Sequence, residues 1–496
     1  EGIEVDAARR TEAVREGVLK AAAEIGGTVP EHLLSVQDKG SLLWEVANLV
    51  ESVTPITGRF DEELLRLPEE VLTTVMKKHQ RYFPVVDSST GKLLNAFVTV
   101  ANGRVDVDVV RAGNEAVLRA RYADAAFFYD HDCSRELASF VPALSGVVFQ
   151  EKLGTLLDKR NRLIELVPQL GAALKLDEKQ LAVANEAATL CNADLTTQIV
   201  VEFTSLAGEM GRHYAMREGR DAGVAQAVFE AVLPRSAFDQ VPQSQAGAVL
   251  SLADRVDSLV GLFGLGLAPK PTADPFGLRR AALGVVQVVL EKDIPLDLHD
   301  AFRRSAALQP VDVSDEALDT LLVFMTRRMD AWLTERGERY DLVRACLNEN
   351  SRRPADVMAR LRELNTFVDG KEESEQLSRA LEAYGRPSRI VKSQHPELLT
   401  CSRDEIPGVN VALFDCEEER SLHDSFERTR DVLKENRSAG ALIAALDDMK
   451  PVLDTFFDNV FVMSEDLDVR ANRMHLCAHI AQLSRGIVDL TEITGF

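Results

Sequence analysis

The chain has 496 residues, room for about three domains at roughly 150 residues each. Its 46% hydrophobic and 27% charged residues exclude a collagenous, low-complexity or largely disordered protein. Lys and Arg total 57 against 79 Asp and Glu, a net charge of −22, which excludes nucleic-acid binding by bulk charge and leaves only a local basic patch as an RNA or DNA site.

The first residue is Glu, and residues 1–26 read as an amphipathic helix rather than a signal peptide, so the sequence is expected to be part of a longer chain. Helical periodicity covers residues 7–25 and 62–78, and β-rich runs at 82–86 and 97–100 flank the turn Asp87-Ser88-Ser89-Thr90-Gly91. Residues 81–100 therefore read as a hairpin in an α/β module over 1–109. Helical spacing dominates 110–337, with helices expected at 112–128, 146–170, 177–191, 245–263 and 275–290. Residues 264–273 are a loop by their Gly and Pro content, after which Asp274 suits an N-cap and Pro275 a first helical position. A helical linker region follows over 338–376, with the charged link Asp369-Gly370-Lys371-Glu372-Glu373, and a second helical unit over 377–496. No apolar run approaches the roughly 18 residues of a membrane span, so a soluble chain with no membrane partner is expected. Cys133, Cys191, Cys346, Cys401, Cys416 and Cys477 are scattered without a CxxC, which fits a reducing compartment.

Catalytic signals are sparse. His131-Asp132 suggests a metal-dependent phosphohydrolase, but its better-placed helical counterpart, Ala193-Asp194, has Ala where an imidazole is needed, so a structural remnant is expected. His475, Cys477 and His479 offer half a zinc site on one helix face with no second pair of ligands. Gly261, Gly264 and Gly266 lack dinucleotide-binding spacing, and no phosphate loop or nucleophile elbow occurs. No catalytic residue and no metal ligand is assigned. Lys77, Lys78, His79, Gln80 and Arg81, next to Tyr82 and Phe83, form the densest basic and aromatic cluster. It reads either as an RNA contact with a stacking ring or as a solvated helix end with both aromatics in the core.

Six blocks in order carry a resemblance: MKKHQRYFPV (76–85), GNEAVLRARYADAAFFYDHD (113–132), VFQEKLGTLLDKRNRL (148–163), EFTSLAGEMGRHYA (202–215), LADRVDSLVGLFGLG (252–266) and DPFGLRRAALGV (274–285). With SRRPADVMARL (351–361) and FFDNVFVMSEDLDVRANRM (456–474), they resemble the beta subunit of the bacterial-type glycine–tRNA ligase along nearly the whole chain. The resemblance implies a mainly α, multidomain fold: the tail of an α/β module shared with the beta chain of phenylalanine–tRNA ligase, a central degenerate HD-like helical domain, and a C-terminal helical anticodon-binding domain similar to that of arginine–tRNA ligase. It implies glycine tRNA and an alpha, catalytic part as partners in a dimeric assembly. ATP and Mg are expected in that alpha part, where glycyl-adenylate is made, with no cofactor in this segment. The family's amino-terminal portion would precede Glu1. The ending GIVDLTEITGF and residues 1–15 resemble the fused plastid form, which implies a plastid location, with the mitochondrion or a bacterial cytoplasm as alternatives.

Candidate tRNA contacts within these blocks are Lys77, Lys78, His79 and Arg81; Arg279 and Arg280; and Arg470 and Arg473, three apart on one helix face; outside them, in the part after Leu377 that resembles an anticodon-binding domain, Arg386 and Arg389 are expected to be freed by a helix end at Gly385 and Pro387. An arginine of the 279–280 pair has a competing internal role, pairing with Asp254 or Asp257. Two further readings of the whole chain are an HD-type phosphohydrolase and a non-catalytic helical scaffold.

Overall fold

The computed structural model describes residues 3–38, 40–369 and 372–496, so Glu1-Gly2 at the start and Gly370-Lys371 of the expected charged link lie outside the described residues. The protein is mainly helical. Its contacts define two compact units, one of Glu1–Ile164, Lys179–Val232 and Ser244–Leu250, the other of Glu165–Glu178, Leu233–Gln243 and Ser251–Phe496. Among the described residues no helix is long and apolar enough to cross a membrane.

The first unit opens with helix α1 (Ala7–Ala23), whose N-cap Asp6 accepts from Arg9 N at 3.0 Å. Val14, Val18, Ala21 and Ala22 recur at helical spacing and are buried against α2 (Leu42–Ala47) and a sheet. That sheet is antiparallel, with β1 (Gly27–Thr28), β2 (Val53–Arg59), β3 (Phe83–Asp87) and β4 (Leu93–Asn102) in the order β1-β3-β4-β2. The expected hairpin is β3–β4. Its turn closes on the Asp87 carboxylate, which accepts from the hydroxyls and backbone N–H groups of Ser89 and Thr90; the Ser89 hydroxyl leads in holding its pKa at about 2. The sequence hid β2, because Pro55 and Gly58 both argue against a strand. Here β2 is an edge strand, where Pro is tolerated. Gly58 pairs with Phe97, whose ring occupies the space a Cβ would need, and Tyr82 stacks on that ring with centroids 4.6 Å apart.

The helix expected over 62–78 is broken. Residues Glu62–Arg66 form a 3-10 turn, Pro68 starts a new helix α3 (Glu69–Thr74), and the chain widens into a π-helical turn over Val75–Gln80 that ends at Arg81 with φ +56°. Helix α4 (Val107–Cys133) follows, capped by Asp106. The helix expected over 146–170 begins late, because Val148-Phe149-Gln150 and Gly154-Thr155 pair as strands β5 (Val148–Gln150) and β6 (Gly154–Thr155). Helix α5 (Leu156–Ala173) starts where Thr155 and Asp158 cap each other, Thr155 N donating to Asp158 at 2.7 Å and Asp158 N to Thr155 Oγ1 at 3.3 Å. Helices α6 (Glu178–Leu190), α7 (Gln198–Glu202), α8 (Glu209–Arg217), α9 (Ala222–Glu230) and α10 (Gln245–Gly264) complete this run.

In the second unit, α11 (Leu278–Glu291) starts three residues later than expected. Pro275 sits in the preceding turn and Gly277, with φ +64°, is the N-cap; Asp274 still serves the helix start, accepting from Leu278 N at 2.8 Å and Arg279 N at 2.9 Å. Gly284 on α11 makes room for the buried Arg255, whose guanidinium donates to Pro234 O at 2.9 Å and Ser251 O at 3.0 Å. Helices α12 (Leu298–Ala306), α13 (Asp315–Glu335), α14 (Tyr340–Asn350) and α15 (Pro354–Asn365) lead to the closing bundle. It contains α16 (Glu375–Gln394), α17 (Glu397–Thr400), α18 (Glu417–Glu435), α19 (Ala439–Asn459) and α20 (Leu467–Ala481), with α16 packed on α19 and α20, and α18 on α19. The expectation that Gly385 and Pro387 end a helix is corrected: α16 runs through both. Burial of Tyr384, Pro387, Ser388 and Val391 on one side outweighs the single backbone hydrogen bond that proline forfeits.

Candidate nucleic-acid interface

The two aspartates of the HD-like region act as caps. Asp132 is buried and accepts from Gln198 N at 2.9 Å, Ile199 N at 3.0 Å and Tyr214 Oη at 3.0 Å, so it closes the start of α7. Asp194, also buried, accepts from Gly208 N at 2.6 Å and Gly211 N at 3.2 Å at the start of α8; burial pushes its carboxyl up in spite of these donors. A Cβ at Gly211 would meet the Val228 side chain first, at 2.8 Å, and the Asp194 carboxylate at 3.3 Å. Tyr214 and Gly211, both in the block EMGRHYA, thus hold the two carboxylates from one helix. Among the described residues no group of three or more His, Cys, Asp or Glu is arranged to hold a metal ion. On α20, Cys477 is buried and His479 Nε2 lies 3.1 Å from Pro407 O.

The cluster at 77–81 keeps its cations together on the π-helical turn but not its aromatics. Tyr82 and Phe83 are buried, Tyr82 donating to Asn114 at 2.9 Å, so of the two readings of these aromatics the structure has the one that places both in the core. Lys78 is exposed; Lys77 is half-buried, and burial followed by the Lys78 charge lowers its pKa. His79 meets Phe203 edge-on at 5.3 Å. Arg81 donates to Glu45 at 2.7 Å and to Lys78 O at 3.0 Å, closing the turn on itself.

The arginines of the second unit divide sharply. Arg279 donates to Lys270 O and lies 3.9 Å from Asp274, so its partner is Asp274 rather than Asp254 or Asp257. The buried arginine beside Asp254 is instead Arg255. Arg280 is exposed. Arg386 is not freed by a helix end, since it lies 3.6 Å from Asp454 and 3.5 Å from Asp458 on the neighbouring α19. Arg389 is exposed over the Phe496 ring, 5.0 Å from its centroid. Arg470 donates to Ser464 O at 2.9 Å. Arg473 is buried between Glu419 at 2.7 Å and Asp415 at 3.2 Å, which corrects its expected place on a shared surface with Arg470: it binds α20 to the start of α18.

A stronger basic surface lies elsewhere in the second unit. Arg403 donates to Gln482 O at 2.5 Å, Arg437 to Arg485 O at 2.8 Å, and Arg485 to Cys401 O. These three guanidinium groups are tied to neutral carbonyls, which orient them without cancelling their charge. Burial lowers the pKa of Arg403, and the charges of Arg437 and Arg485 lower it further, the signature of three cations in electrostatic reach. Arg430 and Lys434, one turn apart on α18, extend the ridge, Arg430 paired to Glu427 and Lys434 to Asp431 at 2.9 Å. Arg403, Arg430 and Lys434 line a cleft of about 570 Å³ together with Asp404, Glu427, His423, Phe426 and His479. Sequence reasoning missed this ridge because its members are spread from Arg403 to Arg485; the available signal was Arg430, Lys434 and Arg437 recurring at helical spacing in an acidic segment.

By comparison with known proteins, the chain falls in the class of aminoacyl-tRNA synthetase chains. The model of the family described as glycyl-tRNA synthetase beta subunit matches residues 1–348. The chain is 40% identical over 499 residues to the chloroplastic/mitochondrial glycine–tRNA ligase 2 of Arabidopsis thaliana, with 100% of the chain and 45% of that relative covered. It is 40% identical to the glycine–tRNA ligase beta subunit of Desulforudis audaxviator, covering 98% of the chain and 69% of the relative, and 36% identical to that of Picosynechococcus, covering 99% and 70%. The chain belongs to the glycyl-tRNA synthetase beta subunit family. It spans less than half the length of the Arabidopsis relative.

Proposed function

We propose that this chain is the tRNA-binding beta portion of glycine–tRNA ligase, supporting ATP-dependent attachment of glycine to glycine tRNA while adenylation and transfer take place in a separate alpha part. The ridge Arg403, Arg430, Lys434, Arg437 and Arg485 carries the reading, because it gathers positive charge on one surface of a chain whose net charge is −22. Lysines and arginines that neutralise phosphates supply affinity independent of sequence, and fixed guanidinium planes add stacking on unpaired bases. Lys77, Lys78, His79 and Arg81 of the first unit, and Arg280 and Arg389 of the second, are the remaining candidate contacts. ATP and Mg belong to the alpha part in this reading, and the assembly is dimeric. The Arabidopsis relative's name supports a plastid or mitochondrial location, and the bacterial relatives support a cytoplasmic one for a free subunit.

The test is binding of glycine tRNA to the full-length protein, by fluorescence anisotropy over a salt series. Replacing Lys434, Arg437 and Arg485 together by Ala is expected to weaken binding at least tenfold and to reduce the dependence of log affinity on log salt by roughly 0.7 per lost phosphate contact. Unchanged affinity and slope in a folded variant rejects the ridge.

A further inference from the structure

In the loop over residues 233–243, far from the ridge in sequence, Phe238 is 99% exposed, the highest value of any large apolar side chain among the described residues. The backbone beneath it is held along its length. Leu233 O accepts from the buried Ser251 hydroxyl at 2.6 Å, and Pro234 O from the buried Arg255 at 2.9 Å. Ala237 O, next to the ring, accepts from the buried Gln287 Nε2 at 2.8 Å. The tip closes on Asp239, which accepts from Arg235 N at 2.8 Å, Arg235 Nε at 2.9 Å and Gln240 N at 3.0 Å. Val241 is buried on the return, and Lys292 donates to Gln243 O at 2.9 Å. Buried polar groups of α10 and α11 thus position a ring that itself touches only water.

The charges around this loop leave cations without partners. Asp239 is paired with Arg235, Glu291 with Arg336 at 3.5 Å and Asp274 with Arg279 at 3.9 Å, and Asp254 faces the buried Arg255. Arg280 precedes Gln287 by seven residues, two helical turns, so both lie on one face of α11, about 10 Å apart along its axis. It is exposed and, among the described residues, in no ion pair. Lys292, at the other end of α11, bonds a neutral carbonyl that leaves its charge uncancelled, with the exposed Asp293 as the opposing acid. The ring therefore stands between two available cations in a chain whose net charge is −22.

We propose that Phe238 stacks on an RNA base whose face is open, unpaired or at the end of a duplex, while Arg280 meets a phosphate of the same strand; the inference rests on the proposed function. Within a duplex each base face is covered by its neighbours, so a ring on a fixed loop reaches only ends and unpaired positions. Stacking of this kind is tolerant of sequence, because every base has a π-face. The cations on either side suit a polyanion and not the apolar pocket of a protein. Phe238 is thus a positioning residue for the RNA. The two contacts have opposite signatures: loss of stacking weakens binding without changing its salt dependence, whereas loss of a phosphate contact changes both.

The experiment follows glycine tRNA binding to the full-length protein by anisotropy over a salt series, with Phe238→Ala, Phe238→Leu, Phe238→Trp and Arg280→Ala. Both positions are exposed, so the variants are expected to fold. Phe238→Ala and Phe238→Leu are expected to bind about five- to tenfold more weakly with an unchanged salt slope, and Phe238→Trp to bind at least as well as wild type. Arg280→Ala is expected to weaken binding and to lower the slope by roughly 0.7. Trimming the single-stranded 3′ end of the tRNA abolishes the difference between wild type and Phe238→Ala if the stacked base lies there, and leaves it if the base lies in a loop; either result supports stacking. Wild-type affinity in Phe238→Ala overturns the site, as does wild-type affinity in Phe238→Leu, which marks a merely apolar contact. Loss of association with the alpha part in Phe238→Ala, with tRNA affinity kept, overturns it in favour of a protein contact. Wild-type protein that binds no tRNA rejects the proposed function and this site with it, whereas tRNA binding that is indifferent to Phe238 rejects the site alone.

Discussion

Arg473 Nε donates to the Glu419 carboxylate at 2.7 Å with both side chains buried, joining α20 to the first turn of α18. Glu419 also accepts from Asp415 N at 2.9 Å and Cys416 N at 3.3 Å, so one carboxylate caps a helix and neutralises a buried cation. Removing the arginine leaves that charge buried without its partner. Arg473→Ala is expected to lower stability by about 3 kcal/mol, read by thermal or denaturant unfolding. Burial pushes the Glu419 carboxyl up, but Arg473 and the Asp415 N–H outweigh it and hold its pKa below the ordinary 4.5. The stabilisation is therefore complete above pH 4.5 and is lost as pH falls through the lower folded value. Acid unfolding of Arg473→Ala that parallels wild type, with no loss of stability at neutral pH, excludes this role.

The π-helical turn at Val75–Gln80 presents Lys77 and Lys78 one after the other, while Arg81 is held by Glu45. Replacing Lys77 and Lys78 by Ala is expected to weaken glycine tRNA binding severalfold and to flatten its salt dependence, with little change in melting temperature. Arg81→Ala is expected to loosen the turn in addition to weakening tRNA binding, through loss of its bonds to Glu45 and Lys78 O. Equal tRNA affinity of wild type and the double variant across a salt series removes this cluster from the interface.

His479 gives the ridge a pH dependence. Burial lowers its pKa below 6.5, and the charges of Arg403 and Arg430 add to the shift against the opposing Pro407 carbonyl and Glu427. The imidazole is thus neutral at pH 7. A phosphate entering the cleft favours the charged form and raises this pKa, so binding takes up a proton and affinity rises as pH is lowered from about 8 to about 6. His479→Gln should remove most of that rise. A pH profile identical to that of wild type assigns the dependence to other groups.

Local signals made much of the fold legible. Asp87 and the residues after it spelled the turn of the β3–β4 hairpin, and helical spacing located α1, α6 and α10 nearly to their ends. The misses came where tertiary packing overrode local preference. Pro387 stays within α16 because its neighbours are buried, Gly58 stays in β2 because Phe97 fills its place, and Pro275 yields the helix start to Gly277. The site was less legible for the same reason. Arg386, Arg389, Arg470 and Arg473 look alike in sequence, yet the fold pairs one with acids on α19, lays one on a ring, ties one to a loop carbonyl and buries the last. Arg403 and Arg485 meet only because Gln482 and Cys401 supply the carbonyls that hold them.

Arg279 and Arg280 are adjacent in sequence but differ in what they hold, and their substitutions should separate cleanly. Arg279 donates to Lys270 O and sits near Asp274, which itself accepts from two backbone N–H groups at the start of α11. Its guanidinium therefore ties the loop at Lys270 to the helix start, and Arg279→Ala is expected to cost about 1.5–3 kcal/mol, the range of a hydrogen bond to a charged group. Arg280 is exposed beside Gly277, and truncation there should change stability by less than about 0.5 kcal/mol. If Arg280 contacts a phosphate, its loss weakens cognate and non-cognate tRNA alike, because phosphate contacts carry no sequence information. Unfolding curves and tRNA titrations on the two single variants are sufficient. An Arg280→Ala protein that is destabilised as much as Arg279→Ala, or that binds both tRNAs as wild type does, rules out the division of labour.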